Sequence, residues 1–253
     1  MDWLIDHPLP LFGAMLLLFL GCTRAGALAR IHGHKLTPAE RGEFDLVRSA
    51  MFTLFGLIVG FAISMAVSRY DLRKSLEESE ANAIGAEYVR LDFMPAGVAS
   101  KARALLVVFA DQRIAYYGGG NAEELARNAA DTARTMTALW SAIAPEISVH
   151  PTPVTALVAS GMNDVLNAYG YTLAAFRNRL PIEVWLLLIG VAASCNFLIG
   201  FGAEKLSSWT LGILPLTASL AILLIADVEG PHNGFVRVDS TNLIDAASSM
   251  RGP

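Results

Sequence analysis

The chain has 253 residues, a formal net charge of −4 and a mean hydropathy of +0.46. Hydrophobic residues make up 54% of it and charged residues only 17%, against roughly 25% charged residues in ordinary soluble domains. This composition argues against a soluble enzyme and against intrinsic disorder, and the lack of excess positive charge argues against a nucleic-acid-binding protein.

Four stretches contain no Asp, Glu, Lys or Arg. They are residues 7–23, 49–68, 184–203 and 206–226. A bilayer core about 30 Å thick needs around 20 apolar residues as a helix, so each stretch predicts a transmembrane helix. The first stretch is preceded by Asp2 and Asp6 instead of the basic residues of a signal peptide, so we expect a retained membrane helix.

These stretches divide the chain and predict its fold class. We expect an all-α membrane protein with four transmembrane helices and an extramembrane helical bundle inserted between spans two and three. The predicted segments are 1–68 with spans one and two, 69–181 with the bundle, 182–228 with spans three and four, and 229–253 as a C-terminal tail.

Basic residues indicate the orientation of the chain in the membrane. The loop between the first two spans has five Lys or Arg residues, whereas the N-terminus has none. Because short cytoplasmic loops are rich in Lys and Arg, we expect this loop in the cytoplasm, with both termini and the bundle on the other side of the membrane.

The polar segment after span two is predicted to be helical. Residues 68–93 contain no proline and follow span two without a break, so we expect one continuous helix from about Ser49 to about Phe93, ended by Pro95 and Gly97. Its small or apolar positions at helical spacing are expected to face inward; they are Leu72, Leu76, Ser79, Ala83 and Ala86.

Three more bundle helices are expected, at about 100–117, 121–145 and 154–179, joined by short loops. Asn121 and Glu124 have the spacing of a capping box at the start of one of them. The helix over 100–117 is predicted to turn six residues inward, namely Leu105, Val108, Phe109, Gln112, Ala115 and Tyr116.

Span two contains two stripes with a four-residue repeat. Small residues let helices approach closely in lipid, so the first stripe predicts a helix-packing face; it consists of Gly56, Gly60, Ser64 and Ser68. The second could line a narrow pore; it runs from Met51 to Val67, and its pore-lining candidates are Phe55, Val59 and Ile63. Ordinary helix packing explains both stripes as well.

Polar residues outside the stripes suggest three further sites. Five of them could form an ion-steering ring where span two leaves the membrane, or a solvated helix face with bundle contacts; these are Arg69, Arg73, Glu77, Glu80 and Asn82. Asn163, Asp164 and Asn167 are expected to hydrogen-bond across the bundle to Glu80 and Asn82. Within span three, Asn196 is expected to form an interhelical hydrogen bond rather than to bind an ion.

Signatures of catalysis are missing from the sequence. It has no glycine-rich phosphate loop, no H-E-x-x-H motif and no nucleophile elbow. We therefore expect no enzyme, no cofactor and no metal site.

Several runs of the sequence resemble the bestrophin-like family of bacterial integral membrane proteins. They are Phe55–Met65, Ser68–Arg73, Glu80–Gly85, Leu105–Arg113, the Asn163-Asp164 pair and Glu229–Val238. The resemblance covers nearly the whole chain from Ala50, and Glu80–Gly85 is its most specific part. Bestrophins are oligomeric anion channels with four spans, and their second span lines the pore.

The resemblance implies an oligomeric anion channel with span two at the pore and Phe55, Val59 and Ile63 as candidates for its constriction. The expected partners are the lipid bilayer, further copies of the chain and inorganic ions, and no nucleic acid. The alternative is a non-conducting membrane sensor or scaffold whose bundle binds an envelope ligand or partner. The long uninterrupted helix and the absence of charge within the spans favour that alternative.

Overall fold

The structure is a computed structural model that describes residues 7–32, 37–203, 208–230 and 234–252. Within these ranges the chain forms eight α-helices, one short 3-10 helix and no strand. The α-helices are α1 Pro8–His32, α2 Pro38–Arg90, α3 Ala96–Tyr117, α4 Ala122–Val149, α5 Pro153–Arg177, α6 Ile182–Gly202, α7 Ser208–Glu229 and α8 Thr241–Arg251. Asp2, Asp6 and residues 231–233 of the tail run lie outside the described ranges. The predicted all-α class is confirmed.

Four helical segments are long and apolar enough to cross a membrane. They fall within Pro8–His32, Pro38–Phe93, Pro153–Gly202 and Leu211–Glu229. Each contains most of one predicted charge-free stretch, so the prediction of four spans is confirmed.

The helix α2 is continuous over 53 residues, which corresponds to about 80 Å at 1.5 Å per residue. It starts at Pro38, earlier than predicted. A hydrogen bond stabilises its N-terminus, where the Glu40 carboxylate accepts from the Thr37 N–H at 2.7 Å. The last predicted turn, Leu91–Phe93, is a 3-10 helix, after which Pro95 begins the next helix as its N-cap.

The chain forms two compact units. The membrane unit comprises residues 1–68 and 179–236, and the insert unit comprises residues 69–178 and 237–253. The C-terminal tail is therefore divided, since its last seventeen residues, including α8, belong to the insert unit.

Within the membrane unit, α1 and α6 are in backbone contact. A Cβ on Gly26 would overlap the Phe197 carbonyl oxygen, and a Cβ on Gly200 would overlap the Thr23 carbonyl oxygen. Beside this crossing, the Thr23 hydroxyl lies 3.5 Å from the Asn196 side-chain oxygen. The expected interhelical contact of Asn196 is thus made.

Within the insert unit, the buried side of α2 differs from the predicted one. Leu72 is 48% exposed and Ser79 and Ala86 are also exposed. The buried residues of α2 in this unit are Arg73, Glu77, Glu80, Ala81, Ile84 and Glu87, and four of these six are charged. The prediction was wrong because Arg73, Glu77 and Glu80 have hydrogen-bond partners inside the unit, which the hydropathy pattern does not reveal.

The other helices of the insert unit follow the sequence more closely. The capping box is confirmed, because Asn121 Oδ1 accepts from the Glu124 N–H at 2.9 Å and Glu124 accepts from the Asn121 N–H at 2.9 Å. On α3, Phe109 and Tyr116 are buried as predicted. The inward face is nevertheless rotated, because Val108 and Ala115 are exposed while Arg113 is buried.

Candidate functional site

The predicted pore-lining residues pack inside the membrane unit. Phe55, Val59 and Ile63 are half-buried and contact the apolar cluster of this unit. The fully buried residues on the same side of span two are Ala62 and Ala66. This side of the helix is therefore occupied by the chain's own core.

The other side of span two is open. The predicted packing residues Gly56, Gly60, Ser64 and Ser68 are all exposed, and a Cβ at either glycine would have no neighbour within 4 Å. Leu57 is 55% exposed and Phe61 61% exposed. Because successive helical residues are about 100° apart, Leu57 and Ser64 lie opposite Ala62 and Ala66. Phe61 lies next to Leu57 and Ser64. This side, which we call the open face, consists of Thr53, Leu57, Gly60, Phe61, Ser64 and Ser68.

The chemistry of the open face is apolar with small hydroxyl groups. The Thr53 hydroxyl donates to the Ser49 carbonyl of its own helix at 3.0 Å. No charged residue occurs between Ser49 and Ser68. Such a surface can border lipid, another helix or a narrow pore.

The residues of the predicted polar ring do not form a solvent-facing ring. Asn82 is exposed and Arg69 half-buried, whereas Arg73, Glu77 and Glu80 are buried in the insert unit. The buried three have structural partners, which are described in turn below.

Arg73 and Glu77 each meet a helix end of opposite polarity. Arg73 Nε lies 3.3 Å from the carbonyl oxygen of Ala175 and Nη2 lies 3.4 Å from that of Asn178, at the C-terminus of α5. The Glu77 carboxylate accepts from the Leu243 N–H at 2.9 Å, at the N-terminus of α8. A cation at a helix C-terminus and an anion at an N-terminus both satisfy unpaired backbone groups and the helix dipole.

Glu80 forms a buried ion pair with Arg113. Arg113 Nε donates to Glu80 Oε1 at 2.5 Å and Nη2 donates to Oε2 at 3.4 Å, with both side chains about 1% exposed or less. The Thr172 hydroxyl also donates to Oε2, at 3.2 Å. The guanidinium carbon lies 4.6 Å from the centre of the Tyr116 ring and 4.8 Å from that of Tyr169, which adds cation–π contacts.

Tyr117 completes this network. Its hydroxyl donates to Glu80 Oε2 at 3.5 Å. Burial raises the pKa of Tyr117 well above its usual value, and the negative charge of Glu80 raises it further. The hydroxyl therefore stays protonated and remains a donor. The sequence analysis missed Arg113, Tyr117 and Thr172; the only sequence signal was the position of Arg113 at the end of the Leu105–Arg113 run.

The predicted polar cluster of α5 lies at the surface. Asn163, Asp164 and Asn167 are exposed, and Asp164 Oδ2 lies 3.8 Å from Arg90 Nη1. The expected hydrogen bonds to Glu80 and Asn82 are not made within the described residues. The prediction failed because Glu80 is already paired with Arg113 on α3.

Two acidic residues at the end of α7, Asp227 and Glu229, accept hydrogen bonds from backbone N–H groups of the membrane unit. Asp227 is buried and accepts from the backbone N–H groups of Phe235 at 2.6 Å and Val236 at 3.0 Å. Glu229 accepts from the Leu180 N–H at 2.6 Å. Glu229, Phe235 and Val236 of the Glu229–Val238 run are thus hydrogen-bonded within the membrane unit, which the sequence did not reveal.

Comparison with known proteins places this architecture in a family. The Bestrophin-like domain matches residues 45–243, which is most of the chain. The chain belongs to the bestrophin-like family. As a bestrophin-like protein with four apolar spans, it is a multi-pass membrane protein.

Solved structures share the fold of this bestrophin-like chain. One variant of a bacterial bestrophin homolog from Klebsiella pneumoniae has a TM-score of 0.67 at 16% identity, covering 96% of this chain and 99% of that chain. Another variant has a TM-score of 0.66 at 17% identity, covering 95% and 98%. No curated protein matches the chain.

Proposed function

We propose that this bestrophin-like protein is an oligomeric anion channel in which span two of each copy faces a central pore. The observation that carries the proposal is the open face of span two. Only 11% of the apolar 18-residue segment in α2 is buried within the chain, against 28–39% of the corresponding segments of the other three spans. A surface that no other part of the described chain covers is available to a symmetric ring of copies.

The open face also supports a choice of constriction. The side chains of Phe55, Val59 and Ile63 are partly buried against the core of the membrane unit, whereas those of Leu57 and Phe61 are mostly exposed. We therefore assign the narrowest, dewettable part of the pore to Leu57 and Phe61, one turn apart, and a supporting role to the original three. Selectivity for anions rests on family membership, because the open face itself has no charge.

Flux measurements distinguish the two assignments. We expect Leu57→Ala and Phe61→Ala to increase chloride efflux from proteoliposomes, since removing a bulky apolar side chain widens and wets a hydrophobic gate. Val59→Ala and Ile63→Ala are the matched controls on the same helix, and we expect them to lower thermal stability with little change in flux. The reverse pattern would return the constriction to Phe55, Val59 and Ile63.

Cysteine accessibility gives a second, independent test. In a background without Cys22 and Cys195, we expect Ser64→Cys to react with a charged, water-soluble thiol reagent and Val59→Cys to be protected.

Native mass spectrometry gives the number of copies. A ring of four to six copies together with flux supports the channel, whereas a monomer or dimer without flux refutes it.

A non-conducting sensor or scaffold remains the second candidate. The observation that favours it is α2, which runs without interruption from the membrane unit into the insert unit. A ligand or envelope partner bound to the insert unit could act through this helix. A dimer that shows no flux but is stabilised by such a ligand supports this candidate.

The orientation proposal rests on charge. We propose that the basic loop between α1 and α2 faces the cytoplasm and that both termini and the insert unit face the opposite side of a bacterial inner membrane. Protease digestion of right-side-out spheroplasts tests it, because the insert unit should then be cleaved without lysis.

A further inference from the structure

Glu87 is a buried carboxyl group without a hydrogen-bond donor. It lies on α2 in the insert unit and is 0% exposed. Neither of its carboxylate oxygens accepts a hydrogen bond within the described part of the chain. Because an ionised carboxylate is costly to bury unless it is paired and hydrogen-bonded, the charge state of Glu87 matters to the packing around it.

The groups that act on Glu87 come from its own helix and from α5. Arg90 Nη1 lies 3.7 Å from Glu87 Oε2, beyond hydrogen-bond distance, and 3.8 Å from Asp164 Oδ2 on α5. Arg90 is thus shared between a buried carboxyl group and a surface carboxylate that is 59% exposed.

The backbone of α5 comes close to Glu87 at Gly161. A Cβ on Gly161 would overlap both Glu87 Oε2 and Arg90 Nη1. The two side chains therefore occupy the volume where any other residue would place its Cβ. Both carboxylate oxygens are out of contact with solvent in this arrangement.

This environment favours the neutral form of Glu87. Burial raises its pKa from the usual 4.5 to about 8, Asp164 adds to the rise, and Arg90 opposes it. Glu87 is therefore mostly protonated at neutral pH and loses its proton to the solvent under mildly alkaline conditions.

We propose that Glu87 is a proton-operated switch whose ionisation draws Arg90 away from Asp164 and loosens α5 from α2 at Gly161. In the neutral state the carboxyl group lies against Gly161, and Arg90 is available to Asp164. In the ionised state the carboxylate needs a partner, which is either Arg90 or incoming water. Either partner requires space that the contact at Gly161 does not provide.

The direction of the pH dependence follows from linkage. Since the pKa of Glu87 is raised on folding, the folded unit binds this proton more tightly than the unfolded chain does between pH 4.5 and pH 8. The contribution of Glu87 to stability is therefore greatest below pH 4.5 and is lost as the pH rises to about 8. Opening at α5 is expected at the alkaline end of this range.

The test uses the full-length protein in lipid nanodiscs. The infrared band of a protonated carboxyl group should disappear with a midpoint near pH 8 in the unmodified protein and be absent in Glu87→Gln. Glu78→Gln is the matched control, because Glu78 is an exposed carboxylate on the same helix. Hydrogen exchange of Pro153–Arg177 should accelerate above pH 8 relative to Glu87→Gln measured at the same pH.

Two further variants test how the midpoint of the Glu87 titration shifts, and they serve even if Glu87→Gln does not fold. Asp164→Asn should lower the midpoint, since it removes a negative charge that opposes ionisation. Arg90→Gln should raise it, since it removes the positive charge that favours ionisation. A midpoint near pH 4.5, a midpoint that ignores Asp164→Asn and Arg90→Gln, or an unchanged exchange of α5 would each overturn the proposal.

Discussion

Replacing Arg113 by Met should strongly destabilise the insert unit. The substitution removes both guanidinium donors, at 2.5 Å and 3.4 Å, from a Glu80 carboxylate that is 0% exposed. Among the described residues it leaves Thr172 and Tyr117 as donors. Breaking a buried ion pair on one side costs about 3–5 kcal/mol, because the remaining charge is left uncompensated. The cation–π contacts with Tyr116 and Tyr169 are lost as well.

Thermal unfolding followed by tryptophan fluorescence measures this loss. Trp140 is the only tryptophan of the insert unit, so replacing Trp3, Trp185 and Trp209 by Phe makes the signal specific to it. For a unit of this size, a cost of about 3–5 kcal/mol lowers Tm by on the order of 10 °C. The double variant Glu80→Gln/Arg113→Met removes both charges and keeps an acceptor for Thr172, so we expect it to recover most of the loss.

The control is the same substitution at an exposed ion pair of the insert unit. Arg134 pairs with Asp131 on α4, and their side chains are 79% and 49% exposed. Arg134→Met should cost no more than about 1 kcal/mol, as for other surface ion pairs. Equal losses for Arg134→Met and Arg113→Met, or a double variant less stable than Arg113→Met, would refute the role assigned to burial.

Two other substitutions test packing and capping. Gly200→Ala should lower the Tm of the membrane unit by an amount equivalent to about 1–3 kcal/mol, because its Cβ meets the backbone of α1. Gly190→Ala, on the same helix with open space around it, should leave Tm unchanged. Glu77→Ala should accelerate hydrogen exchange at the start of α8 by removing its N-terminal acceptor, worth about 1 kcal/mol. Glu78→Ala should leave this exchange rate unchanged. Equal effects of Gly200→Ala and Gly190→Ala on Tm, or of Glu77→Ala and Glu78→Ala on exchange, would contradict these assignments.

The sequence predicted those features that depend on neighbouring residues. A charge-free stretch of about twenty residues identifies a span whatever its partners, and the Asn121–Glu124 capping box is complete within four residues. The continuity of α2 likewise follows from the absence of a local helix breaker. These features needed no knowledge of the tertiary structure.

The features that the sequence did not predict depend on residues far apart in the chain. Gly56 and Gly60 form a recognisable small-residue stripe and have no neighbour, whereas Gly26 and Gly200 form no local motif and make the close crossing. The choice between them is made by tertiary contact. Arg113 was left out of the predicted inward face of α3 for the same reason, since its partner Glu80 lies 33 residues earlier.

The buried face of α2 in the insert unit makes this dependence clearest. Glu77, Glu80 and Glu87 share one side of the helix, and each carboxyl group is accommodated differently: Glu77 by the N-terminus of α8, Glu80 by Arg113, and Glu87 by raising its pKa to about 8. The first two have donors within hydrogen-bond distance, while the third has none among the described residues. Because a buried carboxyl group without a donor is the one whose proton is easiest to exchange near physiological pH, Glu87 is where a change in pH should act first on this helix.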